Sequence, residues 1–164
     1  MNETLCIFAN TYDREYRYRT LIALKSDLIA ELKLIDGKTE RFMKHYQIWH
    51  HRRLILTLLC SPPSTNPSAQ TDVQILSRLN NELVLTSQIL AIDTKNYHTW
   101  AYRQWILSHF DRPQLWNGEL EFIDILLRTD VRNNSAWHHR FFVIWDTGVK
   151  KGEKASDALR KELP

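Results

Sequence analysis

Apolar residues recur with helical spacing along most of the chain. In the segment 80–110, a first set is compatible with one broad apolar helix face: Leu83, Leu85, Ile89, Leu90 and Ile92. A second set follows at spacings of three or four residues, again as on one helix face: Tyr97, Trp100, Arg103 and Leu107. Asn96 stands between the two sets, where an N-cap belongs. The pattern predicts two helices joined by a short turn.

This two-helix pattern repeats, and a Trp-x-x-Arg motif marks each copy. Four residues of one copy recur 37 positions later in the next: Asp93, Asn96, Trp100 and Arg103 become Asp130, Asn133, Trp137 and Arg140. A third copy is Lys44-His45-Tyr46-Gln47-Ile48-Trp49-His50-His51-Arg52, and a degenerate fourth is Tyr16-Arg17-Tyr18-Arg19. A glutamate stands 18 residues before the Trp of each complete copy: Glu31, Glu82 and Glu119. Internal repeats of this length indicate stacked supersecondary units.

A single helical hairpin cannot bury its apolar face alone, whereas stacked hairpins bury it jointly. The expected fold class is therefore all-α, a right-handed α–α superhelix of stacked hairpins in a single domain, 1–164. The longer spacing from Trp49 to Trp100 predicts a Pro- and Ser-rich surface loop inserted at 60–71. The predicted units are about 12–42, 43–79, 80–116 and 117–150, followed by a partial segment at 151–164 in which another helix begins near Ala155.

Composition and charge exclude several classes of protein. A net charge of +3 with interspersed signs is too small to indicate a nucleic-acid partner. Cys6 and Cys60 form no CxxC pair, so neither a disulfide framework nor a zinc motif is indicated. No apolar run approaches the roughly 18 residues that span a membrane, and the first residues do not resemble a signal peptide. We therefore expect a cytoplasmic protein.

The repeat motif resembles that of protein prenyltransferase α-subunits. The stretches HYQIWHHRR, KNYHTWAYRQWIL and DVRNNSAWHHRFFVI are especially similar to the α-subunit shared by protein farnesyltransferase and type I geranylgeranyltransferase, over roughly residues 12–146. The resemblance implies a heterodimer with a β-subunit, which transfers a farnesyl or geranylgeranyl group to the cysteine of C-terminal CaaX motifs. It also implies that zinc and magnesium are held by the β-subunit, that this chain supplies no metal ligand, and that it is inactive alone.

The resemblance further assigns site residues by position. Lys44 matches a lysine that contacts the isoprenoid diphosphate, Tyr46 lines the same region, and Gln47 matches a glutamine that bonds the carboxylate of the CaaX peptide. Tyr97 and His98 match a Tyr-His pair near the diphosphate, while His45 departs from the family's usual Asn. We expect all five candidate side chains at the first turns of their helices, where free N–H groups favour anions. Donors placed there would stabilise the charge of the leaving diphosphate.

Other readings of the same residues remain open. The motif tryptophans suit packing in the stack of hairpins, and the motif arginines suit bonds to acidic groups or carbonyls between hairpins. Adjacent helical residues point about 100° apart, so the two imidazoles of His50-His51 cannot bind the same metal ion, and nor can those of His138-His139. Two other functions fit the pattern: the Rab geranylgeranyltransferase α-subunit has related repeats, and a tetratricopeptide-like scaffold has similar spacing.

Overall fold

The computed structural model describes residues 11–60 and 72–160, and its regular elements are helices. All but the first residue of the predicted 60–71 insertion lies outside these ranges. Among the described residues, no helix is both long enough and apolar enough to cross a membrane. The helices are α1 (Thr11–Ala23), α2 (Leu28–Thr39), α3 (Tyr46–Leu59), α4 (Asp72–Ile92), α5 (Tyr97–Phe110), α6 (Pro113–Trp116), α7 (Glu119–Thr129), α8 (Asn134–Thr147), a 3₁₀ turn (Val149–Lys151) and α9 (Ala155–Arg160).

The chain divides into two compact units, Met1–Ser77 and Arg78–Pro164. In the first unit, α3 packs against both α1 and α2. Its fully buried side chains come from α2 and α3: Ile35, Ile48, Ile55 and Leu56. The predicted limits of the repeat units stay a prediction.

In the second unit, α8 packs against α5, α7, the 3₁₀ turn and α9. The core side chains Leu90, Ile106, Leu107 and Ile123 are fully buried. The prediction of a buried apolar face is wrong for two residues, Ile92 and Tyr97, which are 57% and 76% exposed. Both stand at helix ends beside the turn, where the chain leaves the packed face.

Side-chain caps close the two turns for which the sequence predicts an asparagine cap, and one further turn. Asn96 accepts from the backbone N–H of Thr99 at 3.1 Å, and so caps α5. Asn133 caps α8 in the same way, and Asp27 caps α2. His45 occupies the cap position of α3 but makes no side-chain cap bond. The helix predicted near Ala155 is present as α9, and Ala158 is buried against the second unit.

Candidate functional site

Each motif tryptophan bonds the turn that precedes its own helix. The indole Nε1–H donates to the carbonyl oxygen six residues earlier: Trp49 to Met43 at 2.8 Å, Trp100 to Thr94 at 2.9 Å, and Trp137 to Val131 at 2.8 Å. A carbonyl in a tight turn has no partner within the helix, so this bond satisfies it. The tryptophan therefore fixes the turn as well as filling space.

The three tryptophans differ in burial, although their bonds are alike. Trp49 and Trp100 are 3% and 5% exposed, which agrees with the packing role expected from the sequence. Trp137 is 46% exposed, so that expectation is wrong for the third copy. Trp100 is covered because the rings of Phe122 and His139 lie 6.0 and 4.9 Å from it.

The motif arginine of α5 belongs to a buried ionic network. Arg103 donates from Nε and Nη2 to the two carboxylate oxygens of Glu119, at 2.9 and 2.6 Å. Its Nη1 donates to the carbonyl oxygen of Leu83 and to the hydroxyls of Thr86 and Ser87. A bidentate, fully bonded guanidinium satisfies the conditions under which a buried charge is tolerated. Arg103 therefore ties α4, α5 and α7 together, which agrees with the structural role expected for it.

A histidine completes this network. His139 Nε2 lies 2.9 Å from Glu119 Oε2, and its Nδ1 lies 3.4 Å from the side-chain nitrogen of Gln104. Since the carboxylate can only accept, the neutral ring donates from Nε2 and accepts at Nδ1. Burial lowers the pKa of His139, and Glu119 offsets this only in part. The ring is a structural group with both nitrogens satisfied, and it has no free face for a metal.

An equivalent network lies in the first unit. Arg17 donates from Nε and Nη2 to Glu31 at 2.7 and 2.5 Å, and His51 Nε2 lies 2.9 Å from the same carboxylate. Burial alone would raise the pKa of Glu31, but the hydrogen bonds and charges of His51 and Arg17 lower it to about 2. Sequence reasoning used these glutamates only as markers of the repeat. The 20-residue spacing from Glu31 to His51 and from Glu119 to His139 was the available signal.

The other motif arginines also bond acidic groups. Arg52 pairs with Asp36 at 2.7 Å and donates to Thr39, linking α2 to α3. Arg140 pairs with Asp124, linking α7 to α8. The acidic partners agree with the bonds expected from the sequence, but both contacts join the two helices of one hairpin and not two different hairpins.

Three of the predicted site residues lie at the start of α3 in the first unit. Tyr46 and Gln47 occupy the first turn, and the ring of Tyr46 is 53% exposed. Lys44 is exposed but lies in the turn before the cap residue His45, so its predicted place inside the first helical turn is wrong. The helix begins two residues after Lys44, because residues 41–44 form the turn and His45 is the cap residue.

The other two lie at the start of α5 in the second unit. Tyr97 and His98 are its first two residues, and their rings meet edge to face with centroids 5.6 Å apart. Tyr97 lines an open cleft of about 400 Å³ between α5 and α8, whereas His98 does not. The remaining lining residues are Lys95, Trp100, Ala101, Gln104, Asn134, Ser135 and His138.

The cleft has the size of a small-molecule site and is lined by several hydrogen-bond donors. The ammonium of Lys95, the phenol of Tyr97 and the amide of Gln104 could serve an anionic or oxygen-rich group. Sequence reasoning missed Lys95, Gln104 and His138 here, because only the packing of α8 on α5 brings them together. Over residues 11–60 and 72–160, no group of three or more His, Cys, Asp or Glu side chains could hold a metal ion. The donors present therefore do not fit a zinc or magnesium site.

The helical hairpins, the Trp-to-turn bonds and the Arg–Glu–His networks recur along the chain, as in a tandem repeat protein. The model of the protein prenyltransferase alpha subunit repeat matches residues 28–59, 79–110 and 116–146. The chain belongs to this family. The resemblance to protein prenyltransferase α-subunits is thereby confirmed at the level of the family, and the tetratricopeptide alternative is set aside.

Named relatives agree with this assignment. The chain is 30% identical over 122 residues to the geranylgeranyl transferase type-2 subunit alpha of Dictyostelium discoideum, covering 74% of this chain and 35% of the relative. It is 28% identical over 138 residues to the Saccharomyces cerevisiae protein, covering 79% and 39%. It is 30% identical over 140 residues to the human protein, and the match covers 82% of this chain and 22% of the human protein. The chain thus spans well under half the length of these relatives.

A solved structure matches the fold. The Candida albicans protein geranylgeranyltransferase-I complexed with GGPP superposes with a TM-score of 0.75 at 28% identity, covering 97% of this chain and 49% of that one. The predicted fold class, an all-α superhelix of stacked hairpins, is confirmed.

Proposed function

We propose that this chain serves as the α side of a heterodimeric protein prenyltransferase that transfers a geranylgeranyl group from its diphosphate to a protein cysteine. Family membership and the relatives described above support this proposal, because all of them are named geranylgeranyl transferases. The β-subunit would hold the metal ion, which would bind the cysteine of the acceptor protein and favour its thiolate form. The α chain contributes polar side chains toward the diphosphate and the acceptor.

The observation that carries the residue roles is the exposure of Tyr46 and Tyr97. These tyrosines are the first residues of α3 and α5, and they stand 53% and 76% exposed, although the tryptophan three residues later is buried in each helix. Packing therefore does not explain them. The first N–H groups of a helix have no intrahelical acceptor and favour anions. Tyrosines at these points are placed to donate to a ligand or to a partner-bound group.

In this proposal Tyr97 and His98, at the start of α5, and Lys44, in the turn before α3, stabilise negative charge on the departing diphosphate. Charge that develops in the transition state is where such donors act most strongly. Tyr46 lines the substrate region, and Gln47 donates its amide to a carboxylate of the acceptor. Because Gln47 matches the family glutamine that bonds the C-terminal carboxylate of a CaaX peptide, it supports a CaaX protein as the acceptor. The type-2 names of the curated relatives support a second candidate, a Rab protein acceptor.

Co-expression with β-subunits of the CaaX and Rab types tests the proposal. We expect a stable complex with one of them, and transfer of geranylgeranyl to either a CaaX peptide or a Rab protein. The chain alone should give no turnover. Turnover by the chain alone, or binding to neither β-subunit, would contradict the proposal. If the complex preferred farnesyl diphosphate, the assignment of geranylgeranyl diphosphate as the isoprenoid substrate would be contradicted.

Single variants in the active complex test the residue roles. Lys44→Ala should lower kcat more than it raises the KM of the acceptor, and Lys33→Ala, an exposed lysine on α2, is the matched control. Tyr97→Phe should also lower kcat, with the 75% exposed Tyr16 changed to Phe as its control. Gln47→Ala should mainly raise the acceptor KM. Equal losses in a variant and its control would remove that residue from the site.

A further inference from the structure

The turn before α5 is held by side chains from the following hairpin. The amide nitrogen Nδ2 of Asn133 donates to the carbonyl oxygen of Thr94 at 3.4 Å, across 39 positions of the chain. The same oxygen accepts the indole N–H of Trp100 at 2.9 Å. Beside them, the Lys95 ammonium lies 3.5 Å from the Asp130 carboxylate. The turn that leads into Tyr97 and His98 is therefore fixed from two sides.

The two ends of the Asn133 side chain make different contacts. Its Oδ1 accepts from the backbone N–H groups of Ser135 and Ala136 at 3.1 and 3.2 Å, which caps α8. Its Nδ2 takes no part in the cap. Asn133 is 1% exposed, so this donor would be costly to leave without an acceptor. Thr94 supplies that acceptor.

A comparison within the chain shows that the cap alone does not require an amide. Asp27 caps α2 through the same pair of bonds, from the N–H groups two and three residues later, at 2.8 and 3.2 Å. An aspartate is as good a cap as an asparagine. At Asn96, the equivalent cap of α5, the buried Nδ2 has no hydrogen-bond partner among the described residues. At Asn133 the amide bonds the Thr94 carbonyl oxygen, and that bond joins two hairpins.

We propose that Asn133 is a positioning residue for Tyr97 and His98. By holding the Thr94 carbonyl, its amide fixes the direction in which α5 begins, and with it the first two side chains of that helix. Small displacements of donors at a reacting centre lower the rate steeply. The inference rests on the proposed function, although the contact itself can be tested without any β-subunit.

Asn133→Asp separates the two roles, because it keeps the capping oxygen and removes the donor. Asn117→Asp, at an exposed residue that follows α6 and does not line the cleft, adds the same charge and leaves the bond intact. In the full chain, we expect amide hydrogen exchange over residues 93–98 to become about twofold faster in Asn133→Asp than in Asn117→Asp, the factor for a long hydrogen bond at the weak end of the usual range of net strengths. In the heterodimer, kcat should fall by a similar factor with the acceptor KM unchanged.

Each outcome decides a separate question. Unchanged exchange in Asn133→Asp would overturn the contact, and faster exchange with unchanged kcat would overturn the positioning role. Equal losses of kcat in both variants would assign the effect to charge and also overturn it. If the unmodified heterodimer were inactive, the proposed function would fail, while the exchange result would still decide whether Asn133 holds the turn.

Discussion

Glu119 accepts a bidentate pair of hydrogen bonds from Arg103 and a third from His139, although its own side chain is only 2% exposed. One carboxylate from α7 thereby joins α5 to α8. Glu31 holds α1 and α3 in the same way through Arg17 and His51. The recurring glutamate is thus the residue through which successive helices are bonded, and this makes its removal informative.

Glu119→Gln should destabilise the second unit strongly. The change preserves the shape of the side chain but leaves the Arg103 cation buried without its counter-charge, for which a cost of about 3–5 kcal/mol is typical. The free energy of unfolding, measured by urea denaturation, reports the loss. Asp124→Asn is the control, because this carboxylate is 43% exposed and its pair with Arg140 is partly solvated, so that we expect about 1 kcal/mol or less. Similar losses in the two variants would contradict the buried-charge account.

His139 should make the stability of the chain depend on pH near neutrality. Because burial lowers its pKa below the ordinary 6.5, the folded chain keeps the ring neutral at pH values where the unfolded chain binds a proton. Stability is therefore complete above about pH 6.5 and falls as the pH decreases toward the folded pKa. Urea midpoints measured at several pH values between about 8 and 5 would show this slope.

The titratable groups that affect His139 are Glu119, Arg103 and the adjacent His138. His139→Gln, which can still donate to Glu119, should flatten the slope between about pH 6.5 and 5. His138→Gln changes an exposed histidine on the same helix and should retain it. A slope that survives His139→Gln would assign the pH dependence to another group.

Glu31 should contribute to stability in a lower pH window. Its folded pKa of about 2 lies below the ordinary 4.5, so its contribution is complete above about pH 4.5 and is lost as the pH falls toward 2. Acid titration followed by helical ellipticity would detect this loss, and Glu31→Gln should make the transition shallower. Glu119, whose pKa is also lowered, acts with the same sign, so part of the transition should remain.

Exposed Glu40 provides the control for this titration. Glu40→Gln removes one carboxylate from the same unit without touching the Arg17–His51 network. We expect the steepness of its acid transition to match that of the unmodified chain. If Glu40→Gln and Glu31→Gln changed the transition alike, the low pKa of Glu31 would not be the cause.

Replacing a motif tryptophan should cost more at Trp100 than at Trp137. Both changes to Phe remove an indole N–H from a turn carbonyl, but Trp100 is buried and Trp137 is 46% exposed, where water can replace the lost bond. We expect a loss of about 2 kcal/mol for Trp100→Phe, from the unmade bond and the smaller ring. For Trp137→Phe we expect about 0.5 kcal/mol. Denaturant unfolding measures both, and equal losses would show that burial does not set the cost.

Much of the fold was predictable because repetition makes local signals redundant. The spacing of Asn133 and Trp137 repeats that of Asn96 and Trp100, so both helix starts could be located from either copy, and both caps are present. The exposure of Trp137 was not predictable, since it depends on what packs over α8. Tyr97 was assigned to an apolar face by spacing alone, but it stands at a helix end, where the turn carries it away from the core.

The candidate site was predictable to a smaller extent. The resemblance pointed to Lys44, Gln47 and Tyr97 by position, and their roles stay proposals. It could not reveal that Lys95, Gln104 and His138 share a cleft with Tyr97. Lys95 lies in the turn before α5, Gln104 on α5 and His138 on α8, and no local pattern encodes how α8 packs on α5.

By itself, the sequence determined the repeat and the starts of α5 and α8 with their asparagine caps, because residue spacing marks them, and its resemblance to known α-subunits indicated the family. Tertiary structure alone decided which polar residues are buried and what they bond. Glu119 reads in the sequence as an ordinary helix-starting glutamate. It becomes the centre of an ionic network only because folding removes water around it and brings Arg103 and His139 to the same carboxylate.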